Sequence, residues 1–275
     1  NPVLATAVFS FAGMDAVIYL DLLTFAAAFA ALLFGVKIPS GENNEAAGRE
    51  PFLETVKSGI SYLRDNRLIL TLILFLAGVN FVASAFDAAL PAMILPRENG
   101  GEAVLGMVSS CAGIATLAGS LLAVWLPAPA NRIRVIYLTM LFSLGTENFL
   151  LAISPSPILW CLAQLIGWIL VPLMNANLDV ILRRTIPVKM QGRVYSCRNT
   201  LQFFTIPIGL FVGGAMVDGV CEPFMAARPS GSLFVRIFGS GKGSGAALML
   251  FLLGFAGVVI CLVFGRILRK YKYKD

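Results

Sequence analysis

Four carboxylates interrupt long apolar runs of the sequence, at Asp21, Asp87, Glu147 and Asp179. A charge at the centre of a membrane helix costs about 2.5–3.5 kcal/mol, so such groups face a protein interior or a water-filled cavity. In a cavity, a carboxylate can exchange protons and attract a cationic or polar ligand. For Asp87 and Glu147 the alternative is a pairing that only holds helices together. Asp21 lies near the outer end of its run, and we expect it to be structural.

Polar side chains accompany these carboxylates along the apolar runs. Asn80, Ser84 and Asp87 are spaced at i, i+4 and i+7, so a helix would place all three on one face. The predicted substrate and proton pathway consists of Asn80, Asp87, Glu147, Asn148, Gln164 and Asn175, with Phe81 and Phe149 beside it. Each of these side chains can equally serve helix packing, and that alternative stays open.

A basic connector at 183–198 holds five cations and no acidic residue. Asp179 and Arg183 are four residues apart, so they can pair at the inner end of one helix. We favour a structural role for this pair, although breaking it could also gate one side of the membrane. Arg193, directly after Gly192, is expected to anchor the connector to neighbouring helix ends or to lipid phosphate.

The sequence lacks the residues that enzymes and metal sites of several common classes need. The chain has no histidine, which removes the commonest general base and metal ligand. Its five cysteines are widely spaced without a CxxC pair, so neither a disulfide framework nor a zinc site is indicated. Protease and nucleophile-elbow motifs are also missing. The sequence therefore predicts a protein that is not an enzyme and that holds no metal or cofactor.

The composition is that of an integral membrane protein. Apolar residues make up 58% of the chain and charged residues only 13%, with a mean hydropathy of +0.83. Soluble domains carry about 25% charged residues. The net charge of +6 comes from cations in short loops, which argues against nucleic-acid binding and for contact with anionic lipid.

The apolar runs predict an all-α bundle of about seven transmembrane helices. A membrane-spanning helix takes about 20 residues. The predicted spans are 16–36, 68–95, 104–126, 135–153, 158–182, 200–217 and 245–264. Residues 218–243, between the last two spans, are expected to form a longer mixed loop. Residues 1–12 are apolar but too short to cross, and we interpret them as the end of a span that begins upstream of Asn1. In the span at 104–126, Gly113 and Gly119 are predicted to allow close helix contact, as is the Gly209–Gly213 pair of the span at 200–217.

A polar stretch separates the first predicted span from the other six. Residues 37–50 form a linker of small and polar residues, and Pro51 suits the first position of a helix. Apolar residues then recur at helical spacing opposite charged ones, which predicts an amphipathic helix on the membrane surface or against the span ends. The apolar positions of this helix are Phe52, Leu53, Val56, Ile60 and Leu63.

The basic residues fix the predicted orientation. Alternating the spans places 17 of the 21 Lys and Arg residues on one face, in the loops at 37–67, 132–134 and 183–198 and in the tail at 266–274. Basic residues near span ends are retained on the cytoplasmic side. The asymmetry therefore predicts a cytoplasmic C-terminus.

Three segments carry a resemblance to a known family. They are GMDAVIYLDLLTF at 13–25, GISYLRDNRLIL at 59–70 and RRTIPVKMQGRVYSCRNTL at 183–201, which contains a P-x-x-x-x-G-R-V pattern. In this order and spacing the chain resembles the C-terminal part of a major facilitator superfamily transporter. Within that superfamily it is most similar to the bacterial drug and macrolide efflux branch.

The resemblance implies a domain division and a function. Residues 1–36 would be the end of an N-terminal lobe, 37–66 the cytoplasmic central loop, and 67–275 a C-terminal six-helix lobe. The implied activity is secondary active transport, with proton-coupled efflux of drugs or other hydrophobic small molecules across the bacterial cytoplasmic membrane. The implied partners are the lipid bilayer, the small-molecule substrate and protons. A non-transporting membrane scaffold or partner-binding subunit is the alternative.

Overall fold

A computed structural model describes residues 18–19, 22–31 and 52–271. For residues 52–56 it describes the backbone only. Within these residues every regular element is helical and none is a strand, which confirms the all-α prediction. The chain divides into two compact units, residues 1–55 and 56–275. In the first unit the main described element is one short apolar helix, α1, at Leu22–Ala31.

The second unit holds the remaining helices. They are α2 (Phe52–Asp65), α3 (Arg67–Ile94), α4 (Glu102–Trp125), α5 (Arg132–Ile153), α6 (Pro157–Trp168), α7 (Val171–Thr185), α8 (Val188–Phe203), α9 (Thr205–Met216), α10 (Glu222–Ala226), α11 (Leu233–Phe238) and α12 (Ser244–Leu268). A π-helical turn at Val217–Cys221 joins α9 to α10. The first four residues of α2, at 52–55, belong to the first unit.

Six helical stretches of the described residues are long and apolar enough to cross a membrane. They are Arg67–Ile94, Glu102–Trp125, Arg132–Ile153, Pro157–Thr185, Val188–Ala226 and Ser244–Leu268. These six confirm the predicted spans from residue 68 onward. The predicted span at 16–36 is described only in part, and the partial span at 1–12, Asp21 and the linker at 37–50 lie outside the described residues.

The predicted amphipathic helix is α2. Its Leu63 is buried, whereas Lys57 and Arg64 on the opposite side are exposed. The Tyr62 hydroxyl donates to the Thr185 carbonyl at 3.0 Å, so the helix lies against the end of a span. Burial also raises the pKa of the Tyr62 phenol above its usual range.

Helices α2 and α8 approach closely. A Cβ added to Gly59 would lie 2.7 Å from the Cys197 sulfur and 3.0 Å from the Arg193 carbonyl oxygen. A guanidinium nitrogen of Arg193 also donates to the Ser58 hydroxyl at 3.3 Å. This agrees with the expectation that Arg193 ties the basic segment to a neighbouring helix.

The basic span ends meet at one end of the bundle. Arg132, at the start of α5, donates to Asn177 Oδ1 of α7 at 3.1 Å. Arg269, just after α12, donates from Nε to the Tyr137 hydroxyl of α5 at 2.9 Å. These contacts place the start of α5 beside the middle of α7 and the end of α12.

The opposite end is held by loop contacts. Arg97, after α3, donates to the Phe238 carbonyl at 3.0 Å. Its guanidinium lies 5.6 Å from the centre of the Trp160 ring. Asn99 donates to the Pro155 carbonyl at 2.7 Å. Burial lowers the pKa of Arg97, although the nearby Glu222 opposes that shift.

Two segments expected to be loops are largely helical. The basic connector at 183–198 contains only a two-residue break, at Ile186 and Pro187, and its later cations lie on α8. Pro187 precedes the first residue of α8, where its missing N–H leaves no hydrogen bond unmade. The loop expected at 218–243 is also shorter, since the helix of α9 continues through the π turn to Ala226.

Small residues set the closest helix contacts. A Cβ on Gly209 would lie 2.5 Å from the Phe81 carbonyl oxygen, and one on Gly213 would lie 2.8 Å from Ala85 Cα. The predicted close-packing pair is therefore confirmed, with α3 as its partner. The predicted close contact of Gly119 in α4 is also confirmed, because an added Cβ would clash with the Ile169 carbonyl oxygen at the α6–α7 break. The prediction for Gly113 is wrong, since nothing lies within 4 Å of an added Cβ there.

Candidate functional site

A cavity of about 250 Å³ lies among α3, α5, α6, α7 and α8. Its lining is mostly apolar, with two carboxylates, several amides and an indole. The polar residues that line it are Asn80, Asp87, Ser143, Glu147, Asn148, Trp168, Asn175 and Gln202. No Lys or Arg is among the described residues that line it. Five of the six predicted pathway residues therefore converge on one cavity.

Two of the spans break beside this cavity. The span at Pro157–Thr185 is interrupted at Ile169 and Leu170, between α6 and α7. Pro172 follows the break in the first turn of α7, where it cannot donate the backbone hydrogen bond that a continuous helix would need. Trp168 and Val171, on either side of the break, both line the cavity.

The span at Val188–Ala226 breaks between α8 and α9, two residues after Gln202. Pro207 removes a helical hydrogen bond there. The Thr205 hydroxyl lies within hydrogen-bonding distance of two carbonyl oxygens, that of Ala77 in α3 at 2.9 Å and that of Gln202 at 3.0 Å. The contact with Ala77 holds the break against α3.

Glu147 is the deepest carboxylate of the cavity. Its side chain is only 5% exposed, and Oε1 accepts a hydrogen bond from Trp168 Nε1 at 2.9 Å. Gly167 lies directly against it, since an added Cβ would be 2.6 Å from Glu147 Oε2. The helix break thus supplies both a donor and the space that the carboxylate occupies.

Asn148 follows Glu147 and is almost fully buried. Its amide nitrogen donates to the Leu144 carbonyl at 2.9 Å, but its Oδ1 has no hydrogen-bond partner among the described residues. A buried acceptor without a partner costs about 1–3 kcal/mol. Because Asn148 lines the cavity, a donor of a bound molecule or a water can satisfy it.

Gln164 of α6 does not line the cavity. It is only 2% exposed, and no group in the described part of the chain forms a hydrogen bond with its Oε1. It lies one helical turn before Gly167, so it belongs to the packing beneath Glu147. The structure therefore separates Gln164 from the other five predicted residues.

Asn80 of α3 lines the cavity and forms a hydrogen bond with α8. Its Nδ2 donates to the Gln202 carbonyl at 3.2 Å, and the Gln202 side chain accepts from Arg198 Nε at 3.1 Å. Asn80, Ser84 and Asp87 lie within about 60° of one another around α3, so they share one face as predicted. Of the three, Asn80 and Asp87 line the cavity, whereas Ser84 lies against α9, where Gly209 approaches its Cβ.

Asp87 and Asn175 mark the open side of the cavity. Both are exposed at the surface, in the later half of α3 and the first half of α7. A carboxylate turned toward hydrocarbon costs about 2.5–3.5 kcal/mol. This face of the bundle therefore borders water or another protein element rather than lipid.

Neither a protein-family model nor a curated protein or solved structure matches the chain.

The predicted gating residues lie away from the cavity. Asp179 and Arg183 line a shallow pocket with Gln191 and Tyr195 of α8. The structure records no ion pair between Asp179 and Arg183, both of which lie in the described part of the chain. The expected pairing is therefore replaced by a shared pocket between α7 and α8. Gly192 has open space around its Cα, so close approach does not require glycine there.

The sequence analysis did not single out three of the polar residues of the cavity. Ser143, Trp168 and Gln202 line it, but each lies in a segment where nothing distinguishes it from packing residues. Trp168 carries the one sequence feature that could have marked it, because a buried indole needs an acceptor for its N–H. The arrangement can bind an apolar molecule and accept protons at two carboxylates, one of which already accepts the Trp168 indole N–H.

Proposed function

We propose that this chain is part of a secondary active transporter that exports hydrophobic small molecules in exchange for protons, with residues 67–275 as its C-terminal lobe. The observation that carries the proposal is the cavity in which Glu147, held by Trp168, meets Asp87 and apolar side chains within the membrane-spanning bundle. A mostly apolar cavity with a few placed polar groups is typical of a small-molecule site.

The position of the cavity supports transport. On α3 its lining runs from Leu76 to Asp87, within a helix that spans Arg67–Ile94, so the cavity occupies the middle of the bundle. Two broken spans border it. Substrate and ion sites of secondary transporters lie near the membrane midplane beside discontinuous helices.

The exposed side of the cavity supports a two-lobe arrangement. Asp87 and Asn175 need a neighbour other than lipid, and a second lobe would provide both a cover and a path for water. Rocking of two lobes around a central site gives alternating access. The resemblance to the major facilitator superfamily supplies the same division, with residues 67–275 as the second lobe.

The two carboxylates take different roles in this proposal. Glu147 is buried and hydrogen-bonded, which suits a group that gains and loses a proton as the cavity changes its exposure. Asp87 lies at the open side, where a proton or a polar part of the substrate arrives first. The protein would lie in the bacterial cytoplasmic membrane with its basic end, and hence the C-terminus, toward the cytoplasm.

The test uses the complete protein to which this chain belongs, expressed in efflux-deficient bacteria loaded with a hydrophobic fluorescent dye. We expect dye to leave the cells faster than from cells without the protein, and only while a proton gradient is maintained. Glu147→Gln should abolish the gain, whereas Glu98→Gln, which removes an exposed loop carboxylate, should not.

Two results would count against the proposal. A protein that reaches the membrane but exports neither dyes nor macrolides would favour a non-transporting scaffold or partner-binding subunit. Export that survives both Glu147→Gln and collapse of the proton gradient would remove the coupling role of Glu147.

A further inference from the structure

A second pair of cavities lies at the basic end of the bundle, between the start of α5 and the end of α12. The upper cavity, of about 300 Å³, is mostly polar and is lined by Asn131, Arg134, Tyr137, Arg269 and Tyr271, among others. The lower cavity, of about 210 Å³, is more apolar. Tyr137 and Arg269 line both, so the two cavities adjoin.

Arg134 and Arg269 line the upper cavity, and Arg266 lines the lower one together with Arg269. All three are exposed, and no acidic side chain lines either cavity among the described residues. Within the described part of the chain, their one polar side-chain contact is the bond from Arg269 Nε to the Tyr137 hydroxyl, which leaves the terminal nitrogens of that guanidinium available. Guanidinium groups in such a cluster match the oxygens of a phosphate.

Tyr137 sets the shape of the site. Its ring is buried against Gly265, where an added Cβ would lie 3.0 Å from the ring. The Arg269 guanidinium lies 5.5 Å from the same ring. The ring therefore holds Arg269 at the boundary between the polar and the apolar cavity.

The lower cavity extends from Arg266 and Arg269 into the membrane-spanning part of the bundle. Its apolar lining includes Leu138, Leu141, Cys261 and Leu262, and two of these, Leu138 and Leu262, are exposed on the outside of the bundle. At 1.5 Å per residue, Leu141 lies about 10 Å deeper along α5 than Arg134. The opening of the lower cavity, beside Leu138 and Leu262, thus faces hydrocarbon at the depth where an acyl chain begins.

We propose that these adjoining cavities bind one anionic phospholipid, with its phosphate among Arg134, Arg266 and Arg269 and the start of an acyl chain along Leu138 and Leu262. Basic pockets between membrane helices are suited to anionic lipid headgroups. The polar-above-apolar order of the two cavities fits a lipid, whereas a free phosphate would use only the upper one. The lipid bridges α5 and α12, so it stabilises their contact.

The test measures lipid binding to the purified chain by native mass spectrometry, with phosphatidylglycerol and phosphatidylcholine of identical acyl chains. We expect one phosphatidylglycerol to stay bound under conditions that strip phosphatidylcholine. Arg134→Gln/Arg266→Gln should weaken that binding by about 25-fold, because each basic residue near an anionic lipid contributes about a fivefold factor.

A matched control removes two exposed charges outside these cavities. Arg64→Gln/Lys189→Gln should leave the tight phosphatidylglycerol bound. Leu138→Trp keeps every charge but narrows the lower cavity, and it should weaken lipid binding several-fold while the protein still folds. This second variant tests the site even if the double arginine variant is unstable.

Three outcomes would overturn the proposal. Equal retention of phosphatidylcholine would show that the charges do not select the lipid. Equal loss in the Arg64→Gln/Lys189→Gln control would show a general effect of charge. Displacement of the lipid by soluble glycerol 3-phosphate at comparable concentration would show that the upper cavity is a free-anion site.

Discussion

The indole N–H of Trp168 donates to Glu147 Oε1 at 2.9 Å, and this single bond joins α5 to the point where the next span breaks. It gives the buried carboxylate a partner and fixes the side chain beside the break. A change in the charge of Glu147 therefore changes the strength of a hydrogen bond at the α6–α7 junction. Protonation of Glu147 would act on the packing of the bundle through this junction.

The first prediction concerns this bond. Glu147→Gln keeps the shape of the side chain but removes its charge, so binding of a hydrophobic dye to the purified chain should lose its dependence on pH. Trp168→Phe should keep a pH dependence but shift its midpoint, because a hydrogen bond that favours the charged carboxylate is lost. Fluorescence titration across the pH range measures both.

Asp218→Asn is the control for a carboxylate in the same bundle outside the cavity, and it should leave the titration unchanged. An unaltered pH dependence in Glu147→Gln would show that another group is responsible.

The second prediction concerns Gly167. Gly167→Ala places a methyl group 2.6 Å from Glu147 Oε2, so either the carboxylate or the helix must shift. We expect a loss of about 1–3 kcal/mol in the free energy of unfolding, the usual cost of overpacking. Unfolding in mixed micelles measures it. Gly113→Ala meets nothing within 4 Å and should be neutral or slightly stabilising; equal losses in both variants would contradict the packing argument.

The third prediction concerns the contact between α9 and α3. Gly213→Ala would bring a Cβ to 2.7 Å from the Ala85 carbonyl oxygen, so the helices must separate. We expect destabilisation by about 1–3 kcal/mol. The neighbouring Gly214→Ala is the matched control, since nothing lies within 4 Å of its added Cβ. If the two variants unfold alike, the seam between α3 and α9 is not packed as described.

The fourth prediction concerns the end of the bundle opposite the arginine cluster. Arg97→Met removes the bond to the Phe238 carbonyl and the contact with the Trp160 ring. Hydrogen bonds from charged groups contribute about 1.5–3 kcal/mol, so we expect a loss of that order in unfolding free energy. Arg236→Met removes an exposed arginine of the same end and should change little.

A comparable loss in Arg236→Met would show that net charge, rather than the Arg97 contacts, sets the stability of this end. Thermal unfolding followed by circular dichroism distinguishes the two cases.

Sequence patterns were sufficient for the helices because a membrane imposes a length and a composition on each span. The six described spans and the amphipathic α2 were all predicted, and so was the Gly209–Gly213 pair. The patterns failed at 183–198 and 218–243, where polar residues suggested loops but the backbone hydrogen bonds of the helices continue. Polarity marks exposure to water, and helical residues at span ends are exposed as well.

For the candidate site too, some features were predictable from the sequence and others were not. The sequence identified Asn80, Asp87, Glu147, Asn148 and Asn175 individually, because a polar group in an apolar run is costly wherever it lies. Only the tertiary structure decided that these five meet in one cavity, that Gln164 does not, and that Trp168 supplies the partner of Glu147. The reason is physical: the cost of burying a polar group is a property of one residue and its own segment. Its partner is set by how α5, α6 and α7 pack, and that packing depends on breaks and close approaches between residues distant in the chain.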